Sequence, residues 1–102
     1  MLCRWKMRLT VQYVGSIQVR LGKKEEEIDI EHGISVLTLL RRLADTYGEW
    51  FKQEVLEDDG NRLQQGIVVT VNGVAVGQLG GPEARLKDGD IVTILPLFAG
   101  GG

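Results

Sequence analysis

The residues with the clearest chemical potential stand at the carboxyl end of the chain. Directly after Pro96 the sequence reads Leu97-Phe98-Ala99-Gly100-Gly101-Gly102. Three successive glycines neither cap a helix nor stay in a sheet without a large loss of conformational entropy. We therefore expect residues 99–102 to form an extended, flexible tail that presents a terminal carboxylate. A frayed end without a function is the alternative interpretation.

The remaining candidates for chemistry are isolated in the sequence. His32 is the sole histidine and Cys3 the sole cysteine, and neither has a partner nearby that would complete a metal site or an acid–base pair. The glycines between Gly77 and Gly81 precede no helix long enough for a phosphate site. We find no nucleophile–base pair or carboxylate dyad either. The prediction is a chain that binds no metal or cofactor and is not catalytic alone.

Length and charge set the class of molecule. The chain has 102 residues, 43% of them hydrophobic, and 12 basic against 14 acidic residues give a net charge of −2. One small domain fits this length, whereas a dinucleotide-binding fold does not. The longest basic runs are pairs such as Lys23-Lys24, so we expect no nucleic-acid partner. No apolar stretch approaches the ~18 residues of a membrane span, so we expect no membrane contact and a cytoplasmic location.

The periodicity of apolar residues predicts the elements that carry the tail. Alternation predicts a half-buried strand from Met7 to Val14 and a second strand from Glu25 to Glu31, which we expect to pair with the first as a hairpin. The acidic residues of the second strand favour a solvated sheet edge. Ser35 can cap a helix whose apolar face repeats every three or four residues from Val36 to Tyr47.

The second half of the sequence predicts the remaining strands. Ile67–Val71 is rich in β-branched residues, which suits a strand covered on both faces or at a sheet centre. The Asn72-Gly73 turn then leads to a short strand at residues 74–76, and Ile91–Leu95 is the last strand before Pro96. A mixed sheet with one main helix packed across it, the α+β β-grasp fold, accommodates this order. We assign residues 1–6 to a disordered extension, 7–98 to the domain and 99–102 to the tail.

The turns and the tail together resemble a known family. Val71-Asn72-Gly73, then Leu86-Lys87-Asp88-Gly89-Asp90-Ile91-Val92, then a hydrophobic strand, a proline and terminal glycines are similar to the ubiquitin-like sulfur carriers of the MoaD/ThiS superfamily. The resemblance is greatest to the small subunits of molybdopterin synthases and covers residues 7–102. Leu97 departs from the family pattern, in which many members carry a second proline, and so does the third glycine.

The resemblance implies a mechanism centred on Gly102. An ATP-dependent activating enzyme similar to MoeB or ThiF would adenylate its carboxylate, and a sulfur donor would replace AMP to leave a thiocarboxylate. A large subunit similar to MoaE would then receive the sulfur. Gly100 and Gly101 would let the tail thread through the partners' active sites, and ATP would be used by the activating enzyme and not bound by this chain.

Several alternatives remain open at the level of sequence. The glycine pair that corresponds to the two terminal glycines of the family is Gly100-Gly101 if positions are counted from Pro96. It is Gly101-Gly102 if they are counted from the end of the chain. Leu97 and Phe98 either fold back on the domain or bind a partner, and the second interpretation is favoured. The activated carboxylate could also be joined to lysines, as in a protein modifier, or serve tRNA thiolation. Besides a sulfur carrier and a protein modifier, a third class of function is a β-grasp interaction domain whose tail has no role.

Overall fold

A computed structural model describes residues 6–97. The strands are β1 (Lys6–Tyr13), β2 (Glu25–Glu31), β3 (Leu56–Glu57), β4 (Arg62–Leu63), β5 (Ile67–Val71), β6 (Val74–Ala75) and β7 (Ile91–Pro96). The helices are α1 (Ser16–Leu21), α2 (Val36–Tyr47) and α3 (Glu49–Val55), and a 3₁₀ turn spans Val76–Leu79.

Five strands form one mixed sheet in the order β2-β1-β7-β5-β6. β7 pairs in parallel with β1 and antiparallel with β5, and the other pairs are antiparallel. The last strand of the chain therefore occupies the centre of the sheet, between the first strand and β5. Strands β3 and β4 form a separate two-stranded ribbon. The predicted β-grasp architecture is confirmed.

Helix α2 supplies one side of a single hydrophobic core. Its capping follows the prediction: the Ser35 hydroxyl accepts a hydrogen bond of 3.1 Å from Thr38 N–H, and Gly48 follows the last turn. Its buried residues are Val36, Leu37, Leu39, Leu40, Leu43 and Ala44. These join the inward residues of β1, namely Met7, Leu9, Val11 and Tyr13, and the buried residues of β5 and β7. The wide apolar face explains why this helix is predictable from periodicity alone.

The structure corrects the region between the first two strands. The predicted pairing of β1 with β2 as a hairpin is confirmed. The connection between the two strands is not a simple turn, however, because it contains helix α1. Gly15 and Gly22, with φ of 73° and 74°, bound this helix at its two ends. Lys6 lies in β1, so the predicted extension loses its last residue to the strand, and residues 1–5 lie outside the described part.

Strand β5 matches one of the two alternatives predicted for it: it is an interior strand, between β7 and β6, but it is not covered on both faces. Val69 and Val71 are buried, whereas Ile67, Val68 and Thr70 are only half-buried. The strand is therefore covered on one face, because α2 packs on a single side of the sheet. The β-branched run reflects strand propensity rather than burial of both faces. The turn expected after Asn72 is confirmed, with φ of 53° at Asn72 and 85° at Gly73.

The acidic edge strand contains one carboxylate that is not solvated. β2 lies at the sheet edge, as predicted, but the Glu26 side chain is only 20% exposed. Its carboxylate accepts hydrogen bonds from the Tyr13 and Tyr47 hydroxyls, and Lys23 Nζ lies 3.2 Å away. Burial acts to raise the pKa of Glu26, but these three donors outweigh it and hold the pKa below its ordinary value. Glu26 therefore ties the edge of the sheet to the end of α2.

Glu26→Gln is expected to lower the free energy of unfolding at pH 7 by about 1.5–3 kcal/mol, the range for hydrogen bonds to a charged group. A carboxyl whose pKa is lower in the folded state stabilises the fold above its unfolded pKa, and this contribution disappears as the pH falls through the folded pKa. Urea unfolding between pH 7 and 3 should therefore show a smaller loss of stability for the variant than for the native chain below pH 4.5. Glu25→Gln, at the exposed neighbouring position, is the control and should change little. Equal effects at both positions would contradict the proposed role of Glu26.

Candidate functional site

The candidate site is the point where the tail leaves the domain, here called the tail root and defined as Pro96 and Leu97. Because β7 is the central strand, the chain leaves from the middle of the sheet. Leu97 N–H donates a hydrogen bond of 2.6 Å to Gly66 C=O, so pairing with the neighbouring segment continues one residue beyond the strand. This bond fixes the direction in which the chain leaves the sheet.

Two glycines in the left-handed region flank the tail root. Gly66, with φ of 88°, supplies the carbonyl that holds Leu97. Gly15 lies on the other side, and a Cβ added there would be 3.4 Å from Pro96 Cγ. With φ of 73°, Gly15 also has a backbone conformation that disfavours side chains. Both positions therefore favour glycine for backbone geometry, and at Gly15 an added Cβ would also pack directly against Pro96.

Gly15→Ala is expected to reduce the free energy of unfolding by about 1–2 kcal/mol, because a left-handed alanine is strained. Gly22→Ala is a matched control, since Gly22 has nearly the same φ but no atom within 4 Å of an added Cβ. We expect the larger loss at Gly15, together with amide shifts at Leu97 in NMR spectra. A loss at Gly22 as large as that at Gly15, with Leu97 unshifted, would show that the contact with Pro96 contributes nothing.

The open face of the sheet is uncharged beside the tail root. Val68 and Leu95 are paired across β5 and β7 on this face, and Thr70 and Thr93 form the next pair. All four are half-buried. This part of the sheet offers apolar and hydroxyl groups to a partner without an exposed charge to desolvate.

The far side of the same face is charged. On β1 and β2, Arg8 donates to Asp29 at 3.0 Å and lies 3.7 Å from Glu27, and Gln12 donates to Glu25 at 3.2 Å. The side chains of Arg8, Glu27 and Asp29 are exposed, so their ion pairs contribute little to stability. They divide the open face into a charged half and the uncharged half next to the tail.

A small polar groove adjoins the tail root on the other side. It has a volume of about 150 Å³ and is lined by Gln53, Glu54, Gln64, Gln65, Gly66, Ile67 and Pro96. Gln64 is fixed by its side-chain hydrogen bond of 3.1 Å to Gln53 C=O. The groove is too small and too polar to hold a cofactor. We therefore interpret its residues as the border of the tail root.

The predicted site residues are only partly covered by the described structure. Leu97 is 59% exposed and does not fold back onto the domain. Phe98, Gly100, Gly101 and Gly102 lie outside the described residues, so their predicted roles stay predictions. The partner-binding role of Leu97 stays a prediction too.

Sequence reasoning missed the residues that hold the tail root. Gly15 and Gly66 are brought beside Pro96 and Leu97 only by the strand pairing, and Val68 joins Leu95 in the same way. The available signal was weak: both glycines sit next to strand ends, where glycine is common in any turn. Val74 lies in the edge strand β6, and Val76 belongs to the core.

Residues 6–97 contain neither a cluster of metal ligands nor a membrane-spanning helix. Within that range no three His, Cys, Asp or Glu side chains are placed to hold a metal ion. No helix in the same range is long and apolar enough to cross a membrane. The expectation that the chain itself binds no cofactor stays a prediction.

Comparison with known proteins agrees with the fold. A chain from the solution structure of the Haloferax volcanii HVO 2177 protein is similar over 98% of this chain and 92% of its own, with a TM-score of 0.81 and 24% identity. This likeness defines the fold class, a ubiquitin-like β-grasp domain.

The family follows from the sequence itself. The model of the ThiS family matches residues 11–101, and the chain belongs to this family of ubiquitin-like sulfur carriers. A Pyrococcus furiosus structure assigned as subunit 1 of a molybdopterin converting factor is 28% identical over 88% of this chain and 97% of its own, with a TM-score of 0.70. A chain from the Amycolatopsis orientalis BexX/CysO complex is 30% identical over 90% of this chain and 98% of its own, with a TM-score of 0.69. No curated protein matches the sequence.

Proposed function

We propose that this chain is the sulfur carrier of a molybdopterin synthase and that its terminal glycine carboxylate is the reacting group. The observation that carries the proposal is the tail root: a ThiS-family chain sends its glycine tail out from the central strand, beside an uncharged face. The likeness to the Pyrococcus furiosus protein supports the choice of molybdopterin among the family's possible products.

The chemistry takes place in two enzymes in turn. In the first, the Gly102 carboxylate attacks the α-phosphorus of ATP, pyrophosphate leaves, and an acyl adenylate forms. Sulfide delivered by a sulfur donor then attacks the acyl carbon, AMP leaves, and a thiocarboxylate remains. In the second enzyme, the thiocarboxylate sulfur attacks the molybdopterin precursor, and water then cleaves the bond between that sulfur and the acyl carbon, which returns the carboxylate and leaves the sulfur on the precursor. Adenylation is needed because a carboxylate is a poor electrophile without a good leaving group.

The proposed partners follow from this division of labour. An activating enzyme similar to MoeB or ThiF supplies the ATP site, and a large subunit similar to MoaE supplies the acceptor site. The uncharged face formed with Val68 and Leu95, together with Leu97, is the surface that both partners would contact. The glycines then pass into each active site, since a backbone without Cβ atoms fits a narrow channel and adopts many conformations.

A reconstitution tests the proposal directly. The chain is incubated with ATP, sulfide and a MoeB-type enzyme, repurified, and mixed with a MoaE-type large subunit and the molybdopterin precursor. We expect molybdopterin to form in proportion to the thiocarboxylated chain added. Formation of molybdopterin at the same yield from the untreated carboxylate form would contradict the proposal.

The same reaction separates the proposal from its main alternative. If the activated chain instead appears as isopeptide-linked adducts on lysines, it acts as a protein modifier. Transfer of sulfur to tRNA but not to the precursor would assign it to tRNA thiolation. A version that lacks Gly102 tests the working pair: full activity would assign the role to Gly100-Gly101.

A further inference from the structure

A second surface lies at the opposite end of β5 from the tail root. It is a groove of about 320 Å³, here called the β6 groove, lined by Val71, Asn72, Val74, Leu79, Ala84, Arg85, Lys87 and Asp90. Ile67 at one end of β5 pairs with Pro96, whereas Val71 at the other end pairs with Val92. At about 3.4 Å per residue the two ends of this strand are roughly 14 Å apart.

The floor of the β6 groove is apolar and accessible. Val71 belongs to the core, and Val74 and Leu79 are 39% and 42% exposed. Single exposed apolar residues are common, but two beside the same concave surface form a patch that water covers poorly. β6 is also the edge strand of the sheet, so no further strand from residues 6–97 covers this side.

The rim of the groove carries two cations, Arg85 and Lys87. Arg85 Nη1 donates to Gly33 C=O at 2.8 Å, which holds the guanidinium in place while leaving its other donors available. Lys87 Nζ has no hydrogen bond or ion pair to any side chain within residues 6–97. A fixed guanidinium and an ammonium beside an apolar floor suit a ligand that combines a carboxylate with a large apolar side chain.

Two carboxylates are close to these cations, and only one of them, Asp90, lines the groove. Asp90 accepts from Asn72 Nδ2 at 3.0 Å with one oxygen and from Lys87 N–H at 2.8 Å with the other. Asp88 accepts from Arg8 N–H at 2.8 Å. These hydrogen bonds hold both side chains in place but leave their negative charge, so the groove lining has two cations, Arg85 and Lys87, against one carboxylate, Asp90.

We propose that the β6 groove is a docking site for an acidic, apolar peptide segment of a partner protein. The charge of the rim selects carboxylates, and the apolar floor selects a leucine-sized or phenylalanine-sized side chain. A nucleic acid is disfavoured because the floor offers no aromatic ring on which a base could stack. Since the groove is distant from the tail root, the segment can remain bound while the tail occupies an active site.

The test is an NMR titration of the full chain with a blocked pentapeptide, acetyl-Asp-Asp-Phe-Leu-Asp-amide. The matched peptide with lysine in place of each aspartate is the charge control, and a hexauridylate is the nucleic-acid control. We expect saturable amide shifts at Val74, Leu79 and Lys87 with the acidic peptide only, and weaker binding as salt is raised. Equal shifts with the lysine peptide, displacement by the hexauridylate, or shifts elsewhere on the domain would overturn the proposal.

Paired variants locate the binding site. Leu79→Asp and Lys87→Glu are each expected to raise the Kd for the acidic peptide at least about tenfold, which corresponds to losing one good contact. The controls are Val19→Asp, at an apolar position that is 78% exposed on α1, and Lys24→Glu on the exposed segment before β2. Both should leave the Kd within about twofold, since neither lies near the groove. Loss of binding in the controls as large as in the groove variants would contradict the assignment.

Binding of the acidic peptide to the β6 groove can be tested separately from the proposed sulfur chemistry. A chain without Gly101 and Gly102 should bind the acidic peptide with an unchanged Kd, although it cannot carry sulfur in the proposed register. Loss of peptide binding in this truncated chain would show that the tail, and not the β6 groove, is the docking element.

Discussion

Gly101→Ala is expected to reduce sulfur transfer at least about a hundredfold, the loss that a misplacement of about 1 Å at a reacting group can cause. A Cβ at the penultimate position removes much of the backbone freedom of the tail and widens it where it enters the partner's active site. The measurement is the rate of molybdopterin formation with purified activating enzyme and large subunit. Adding one alanine after Gly102 should have an effect at least as large, because the reacting carboxylate is then displaced by a residue.

The control for this prediction is the stability of the domain. The hydrophobic core is built from residues between Met7 and Ile94, so the tail variants should unfold at the same urea concentration as the native chain. A lower midpoint would mean that the tail contributes to the fold. Native rates of transfer in both variants would contradict the proposed role of the terminal carboxylate and favour the interaction-domain alternative.

Leu40→Ala is expected to cost about 2–5 kcal/mol of unfolding free energy, the range for a leucine truncated in a packed core. Leu40 has no exposed surface and lies on the face of α2 that contributes to the core. Small domains have about 5–15 kcal/mol of stability in total, so the variant should be close to the limit of folding. Urea denaturation followed by circular dichroism measures the loss.

Asp45→Ala is the matched control on the exposed side of the same helix and should change the stability by less than about 0.5 kcal/mol. Arg41, also exposed, is unsuitable as a control because its guanidinium donates to Gly60 C=O and Asn61 Oδ1, both at 2.7 Å. It holds the turn between β3 and β4 in place. Similar losses at Leu40 and Asp45 would contradict the orientation of α2.

The sequence was sufficient to predict elements whose signal is local and repeated. Helix α2 has a capping serine and twelve residues of periodic pattern, and the Asn72-Gly73 turn has two residues that favour a left-handed backbone. Helix α1 was missed because six residues are too few for a periodic signal and its one buried side chain is Ile17. Its bounding glycines were visible, but glycine at a turn does not reveal a helix between two turns.

The candidate site was predictable in its chemistry and not in its geometry. The proline and the glycines that follow it mark the tail in the sequence, whereas the contacts at its root join segments that are distant along the chain. Gly15 meets Pro96, and Gly66 meets Leu97, only because β7 is inserted between β1 and β5. The cluster around Glu26 was hidden in the same way, since an acidic run on an edge strand normally indicates a solvated surface.

The most direct test of the central claim is the intact mass of the chain after incubation with ATP, sulfide and its activating enzyme. Replacement of one carboxylate oxygen by sulfur predicts an increase of about 16 Da, located by fragmentation at the terminal glycine and dependent on ATP. Removal of sulfide should leave the mass unchanged, since the adenylate is then hydrolysed back to the carboxylate. An unchanged mass with every component present, under conditions in which the same enzyme converts another ThiS-family carrier, would contradict the account.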